Sequence, residues 1–351
     1  MYIDDVLLMV GNNAVKVTQV ACSGNTTWYV TKSGELYGCG YGAYGQQGNG
    51  GGNVFTFTKR ADNVAQVACS GITTWYVTKS GELYGCGYGD YGQQGTGSYD
   101  NVTTFTKRVD NVAQVACSDR VTWYVTNSGE LYGCGTARRG QQGFGGGNVL
   151  DINTFHKRAN NVAQVACSDI TTWYVTNSGE LYGCGDAGGG QQGNGSTSKE
   201  GSFTKRADNV AQLACSEYTT WFLTKSGELY GCGKGDNGQQ GNGSFSNVTT
   251  FTKRADNVAQ FACSDSTTWY VTKSGELYGC GYGDRGTQGN GSTAKVTTFT
   301  KRADNVGQIA CSDYTTWYLT NSGGLYGCGY GGYGQQGSGS ASNVTTFTKR
   351  P

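Results

Sequence analysis

Apolar and small residues recur along this chain in short alternating runs, separated by glycine-rich turns. In Thr74-Trp-Tyr-Val-Thr78 the indole and Val77 fall on one side and Tyr76 on the other, the two-residue period of a strand. One stretch predicts four strands: Val64–Cys69, Thr74–Thr78, Leu83–Cys86 and Thr103–Lys107. Gly71-Ile72 turns between the first two. Lys79-Ser-Gly-Glu82 closes a tight hairpin in which Gly81 is free to take a positive φ. A long loop from Gly87 to about Val102 contains Gly92-Gln-Gln-Gly95, and Val109-Asp-Asn111 turns into the next run.

The pattern repeats. Trp28, Trp75, Trp123, Trp173, Trp221, Trp269 and Trp317 stand 47–50 residues apart, and each of the seven copies holds two cysteines seventeen positions apart. A unit this small cannot bury its own faces and needs neighbours. Both faces of its strands are apolar or small, whereas a solvated sheet face would alternate with polar residues. Each sheet is therefore expected to lie between two others. The fold class that follows is all-β, a seven-bladed β-propeller of four-stranded antiparallel blades. One domain is expected over residues 15–351. Residues 1–14 form an N-terminal segment, a candidate ring-closing or docking strand. The C-terminal Phe347-Thr-Lys-Arg350 ends a fourth strand and Val6-Leu-Leu-Met-Val10 offers a surplus one, so one blade is expected to be completed by strands from both ends.

Three spaced motifs recur together through residues 15 to 350: Val-Ala-Cys-Ser, then Leu/Val-Thr-x-Ser-Gly-Glu-Leu-Tyr-x-Cys-Gly, then Gly-Gln-Gln-Gly. This resembles the RCC1 repeat family, with its Val-Ala-Cys-Gly strand, Leu-Thr-x-x-Gly-x-Val-Tyr-x-Trp-Gly hairpin and Gly-Gln-Leu-Gly loop. Thr26 and Thr73 stand where the family has His, Cys39 and Cys86 replace a Trp, and the Pro before the fourth strand is missing. The resemblance implies a seven-bladed propeller. It also implies protein binding through loops, as in a bacterial β-lactamase inhibitor, or nucleotide exchange on a small GTPase, as in the best-known member. Neither a basic tail nor a loop inserted in one blade is seen here, which favours the first.

Composition narrows the rest. The 26 basic and 25 acidic residues leave a net charge of +1, with no global field for nucleic acid or an anionic membrane. No run of 18 apolar residues suits a membrane span. The acidic start and short apolar run do not suit a signal peptide, so an intracellular or virion-associated setting fits. The 14 cysteines recur at two equivalent positions flanked by apolar or glycine residues, and read as small buried hydrophobes; seven disulfides within blades are the alternative. Cys-x-x-Cys is absent and His156 is the only histidine, so no metal is expected. No cofactor and no catalytic constellation is expected.

Candidate chemistry lies where the copies differ. The turn after the first strand and the loop after the third leave the blade on the same side. These segments vary, carrying Tyr41, Tyr44, Tyr88, Tyr91, Arg120, Arg138, Arg139, Tyr218, Lys234, Asp236, Tyr282, Arg285, Tyr314, Tyr330 and Tyr333. Tyrosine offers rigid contact area with a polar tip. The opposite turns barely change. There Lys59-Arg60, Lys107-Arg108 and their equivalents lie with Glu35, Glu82 and Asp62, a self-neutralised ring. The function that follows is a non-enzymatic protein-binding or assembly scaffold, of the kind a viral or phage structural or recognition protein would use. A GTPase exchange factor and a glycan-binding lectin are the alternatives. The partner is a protein or a glycan, and exposed Val6–Val10 would serve self-assembly.

Overall fold

The computed structural model describes residues 2–10, 13–23, 26–145, 150–312, 314–332, 336 and 340–350, with side chains from Val17 onward. Nearly all regular structure is strand. The first sheet contains β1 (Tyr2–Val10), β2 (Asn13–Ser23), β3 (Thr26–Thr31), β4 (Leu36–Gly40) and β5 (Val54–Ala61) in that order. The second contains β6 (Val64–Cys69), β7 (Thr73–Thr78), β8 (Leu83–Gly87) and β9 (Val102–Val109). Five further four-stranded sheets repeat this order, beginning at Val112, Val162, Val210, Val258 and Val306. These are the seven four-stranded antiparallel blades of a β-propeller. The four strands expected from the sequence lie within one or two residues of β6 to β9.

Every blade is built from consecutive strands, and the last ends on Val344–Lys349. This corrects the expectation that strands from both termini complete one blade. The surplus strand instead extends the first sheet. β1 pairs antiparallel with β2, with Val6 opposite Val17 and Val10 opposite Asn13. The side chains of Val6–Val10 lie outside the described residues.

Contacts gather the chain into two compact units. One consists mainly of residues 1–177 with 183–185 and 200–204, the other of 178–182, 186–199 and 205–351. In the first unit, Trp75, Val77 and Leu83 pack on Val112, Val115 and Tyr124 of the next blade, and Phe155 closes over Trp75 at 6.0 Å between ring centroids. The second unit repeats this with Trp269, Val271, Leu277, Val306, Ile309 and Tyr318. Burial of each such aliphatic side chain stabilises by about 2 kcal/mol. The indole fits because its cross-strand neighbour is Gly85: a methyl group there would stand 2.3 Å from Trp75 Cζ3. The turn into each new blade ends on an asparagine with positive φ, as at Asn63 (60°) and Asn111 (67°), a conformation asparagine tolerates well.

The first strand of a blade meets the first strand of the next in both units. In the first unit a glutamine ties these strands. Gln66 donates to the Val115 carbonyl (3.3 Å) and accepts from the Val115 N–H (3.0 Å). Gln19 does the same at Val67, at 3.0 and 2.8 Å.

All fourteen cysteines are free thiols. Those in Tyr-Gly-Cys-Gly are buried except Cys39, which is half-buried like most of those in Ala-Cys-Ser; Cys22 is exposed. Reading all fourteen as buried hydrophobes therefore needs correcting. The buried thiols also donate: Cys134 Sγ reaches the Gln93 carbonyl of the preceding blade at 3.3 Å. His156 sits exposed on an outer strand, 3.0 Å from the Thr154 hydroxyl.

Candidate binding loops

In the first five blades the long loop after the third strand is held by its two glutamines. In the second blade, the Gln94 side chain donates back to the Cys86 carbonyl (3.0 Å). Gln93 points forward and donates to the Asp119 carbonyl of the next blade (2.9 Å), while its own Oε1 accepts the Tyr91 N–H (3.0 Å). Gln46, Gln141 and Gln239 make the same forward bond, to Gly71, Asp169 and Asp265. The Gly-Gln-Gln-Gly motif thus sets the loop after one third strand against the turn after the next first strand. These are the two segments that vary.

In the first unit this brings five of the candidate residues together. Tyr41, Tyr44, Tyr88 and Tyr91 form a chain of edge-to-face rings with successive centroid separations of 5.9, 5.1 and 5.9 Å. The Arg120 guanidinium lies over Tyr91 at 5.3 Å. The Tyr88 hydroxyl donates to Asp90 at 2.6 Å, and this carboxylate pushes the phenol up to about 12. The carboxylate of Asp169 accepts the Arg120 N–H at 3.1 Å, and burial raises its pKa. Arg138 is paired with Asp151 at 2.8 Å. Arg139 is exposed beside it, its N–H bonded to Gln141.

In the second unit Tyr218, Lys234, Asn237, Asp265, Ser266, Tyr282 and Tyr314 line an open depression of about 340 Å³. Lys234 lies 4.8 Å over Tyr218 and pairs with Asp236 at 3.0 Å. The Tyr282 hydroxyl donates to Asp284 at 3.0 Å. Arg285 lies between Tyr314 and Tyr330, 4.5 and 4.3 Å from their ring centroids. Tyr333 lies outside the described residues.

The opposite turns are occupied by their own neighbours. Lys107 binds Glu82 at 2.6 Å and Asp110 at 2.7 Å, and Lys59, Lys205, Lys253 and Lys301 repeat the triad. The arginines do not join this ring, which corrects the Lys-Arg reading. Arg108 turns inward over Trp75 (5.7 Å) and donates to the carbonyls of Gln94, Thr106 and Gly85. Desolvation lowers its pKa. Among the described residues no cluster of three His, Cys, Asp or Glu side chains suits a metal ion, and no helix is long and apolar enough to cross a membrane.

The glutamine ties went unforeseen. Their signal was available: a polar Gln kept at one position of an otherwise apolar strand, and a second pair kept inside loops that vary on either side.

The regulator of chromosome condensation (RCC1) repeat matches residues 17–46 and 210–239. No curated protein matches the sequence. Among solved structures, yeast RCC1 (Prp20) bound to Kap60 is 20% identical, with a TM-score of 0.73 over 90% of this chain and 83% of that one. Prp20p from Saccharomyces cerevisiae, described with its binding to Gsp1p and histones, is 19% identical, with a TM-score of 0.73 over 90% and 85%. Human WBSCR16 is 21% identical, with a TM-score of 0.71 over 85% and 84%. The chain is thus a seven-bladed β-propeller that carries RCC1-type repeats at residues 17–46 and 210–239 and shares its fold with these solved structures.

Proposed function

We propose that this propeller is a non-catalytic protein-binding or assembly module, and that it works through the variable loops that follow the first and third strands. The observation that carries the reading is the contrast between the two sets of turns. The uniform turns are closed on themselves: Lys59, Lys107, Lys205, Lys253 and Lys301 are each shared by two carboxylates. The variable ones present tyrosine rings and cations in arrays: Tyr41 to Arg120 in one unit, Tyr218 to Tyr330 in the other. Aromatic and arginine side chains of this kind dominate binding energy at protein interfaces. Yeast RCC1 bound to Kap60 supplies a precedent for a protein partner on this fold. A structural or recognition role in a virus particle fits such a module.

The test compares the wild-type chain with the variant Tyr44→Ala, Tyr91→Ala, Tyr218→Ala, Tyr314→Ala. Partners captured from the source's own extract are identified and their affinities measured on both proteins. We expect at least a hundredfold loss of affinity with an unchanged melting temperature. Equal affinity for the identified partner would sink the reading. Arrayed glycans and a nucleotide-release assay with small GTPases complete the test. Specific binding or exchange activity there, without a protein partner of the loops, would replace it by the lectin or the exchange factor.

A further inference from the structure

The sixth blade departs from its neighbours at one position of the loop motif. Gly-Gln-Gln-Gly becomes Gly286-Thr287-Gln288-Gly289. In the five preceding blades the first glutamine accepts the N–H two residues before it: Tyr44 to Gln46 (3.0 Å), Tyr91 to Gln93 (3.0 Å), Arg139 to Gln141 (2.8 Å), Gly189 to Gln191 (2.8 Å) and Asn237 to Gln239 (2.9 Å). Thr287 is too short to do this. Its hydroxyl turns to the Tyr282 carbonyl at 2.5 Å, and the Arg285 N–H is taken by Asp284 Oδ1 at 2.9 Å. The backbone answers with a short 3-10 turn over Asp284–Gly286, in which Arg285 has a φ of 62°. Among the described residues it is the one positive-φ position that is neither glycine nor asparagine. Such strain persists only where the surroundings hold it.

The consequence is where the side chain goes. The Arg285 guanidinium is clasped by Tyr314 and Tyr330 of the next blade, at the edge of the depression that Tyr314 and Tyr282 line. Of the other cations beside this depression, Lys234 is paired with Asp236 and Lys295, 6.0 Å over Tyr282, donates to the Asp236 carbonyl, whereas Arg285 forms no ion pair among the described residues. The two rings meet edge to face with centroids 6.4 Å apart and hold the guanidinium in their corner, where it keeps N–H donors for a further acceptor. Two rings fix its orientation in advance, so little freedom is lost when an acceptor arrives.

We propose that Arg285 is a preorganised receptor for one carboxylate of a partner polypeptide, and that an apolar side chain beside that carboxylate settles on the tyrosine rings of the depression. A planar carboxylate matches the guanidinium fork. A phosphate dianion is disfavoured by Asp265 in the lining and by Asp236 and Asp284 beside it. The proposal rests on the reading that these loops bind protein, and names the chemistry recognised.

The full chain is panned against a randomised, displayed hexapeptide library as wild type, as Arg285→Gln and as Thr287→Gln. Thr287→Gln restores the acceptor for the Arg285 N–H and draws the side chain from between the rings. The wild type should enrich peptides in which Asp or Glu adjoins an apolar residue, and both variants should lose that enrichment while melting as the wild type does. Synthetic copies of the enriched peptides with Asn or Gln for the acid should bind at least tenfold more weakly. Failure to enrich acidic peptides, or equal affinity for Arg285→Gln, overturns the proposal. So does Arg285-dependent binding of sialyllactose or inorganic phosphate without an acidic peptide. Peptides that need Tyr44 and Tyr91 but not Arg285 would overturn it while leaving the protein-binding reading intact. Peptides indifferent to all of these side chains would overturn both.

Discussion

Gln66 holds Val115 by both of its main-chain groups, the amide nitrogen donating to the carbonyl and the amide oxygen accepting the N–H. Val115 belongs to a first strand, which has a sheet neighbour on one side only. The glutamine of the preceding blade therefore takes the place of a missing strand.

Gln66→Ala should cost roughly 1–3 kcal/mol, the penalty for leaving buried main-chain groups unpaired. Gln66→Glu should recover only part of this at neutral pH, because a carboxylate accepts from the N–H but offers nothing to the carbonyl. Chemical denaturation of the three proteins checks both statements. Equal stability of all three would remove the tie from any account of blade cohesion.

Adjacent residues in the Lys-Arg turns should behave oppositely. Lys107 lies in the solvated triad with Glu82 and Asp110, and exposed ion pairs contribute little. Its replacement by alanine should leave the melting temperature almost unchanged at any salt concentration. Arg108→Ala removes a guanidinium held over Trp75 by several carbonyls and should cost about 2 kcal/mol, the scale of hydrogen bonds to a charged group. A thermal melt in low and high salt separates the two cases.

Alkali should weaken the fold through its thiols. Burial raises the pKa of Cys86, Cys134 and Cys280 well above that of a free thiol, and pushes Cys117 up to about 12. An unfolded thiol ionises near pH 8.5, so above that pH the unfolded chain releases protons that the folded chain keeps. The stability is fully present below about pH 8.5 and is lost as the pH rises toward the folded values, by about 1.4 kcal/mol per pH unit for each thiol. Melting temperatures should be flat from about pH 6 to 8 and fall steeply from about pH 9. Replacing Cys86, Cys134 and Cys280 by alanine should flatten that fall, and an unchanged slope would contradict it. The exposed Cys22 should react with a thiol reagent before the others.

Sequence and structure agree where a single strand pattern decides the outcome. Trp75 and Val77 opposite Tyr76 specify a blade with two buried faces, and the copies specify how many blades there are. The pattern marks these glutamines but does not say what they tie. A glutamine in Val64-Ala-Gln-Val-Ala-Cys69 looks the same whether it faces water or the strand of the next blade. Nor could it separate Lys107 from Arg108, whose fates differ only because a carbonyl cluster and an indole lie within reach of the longer, flatter side chain. The surplus strand was legible as a strand. Its place was not, because a short apolar run carries no record of which edge it will join. Among the variable loops, grouping by sequence position placed Arg285 beside Tyr44 and Tyr91 as one more substitution. Only the backbone shows that Thr287 sends it in a different direction.

The forward-reaching glutamines have a further consequence. Apart from the sixth, where Thr287 replaces the glutamine, the copies carry the same plug for the copy after and the same socket for the copy before. Unequal exchange between repeats can therefore lengthen, shorten or shuffle the array without writing a new joint. What such shuffling rearranges is the order of the Tyr-, Asp- and Arg-bearing loops, so an architecture of identical joints allows new recognition surfaces to arise by recombination alone.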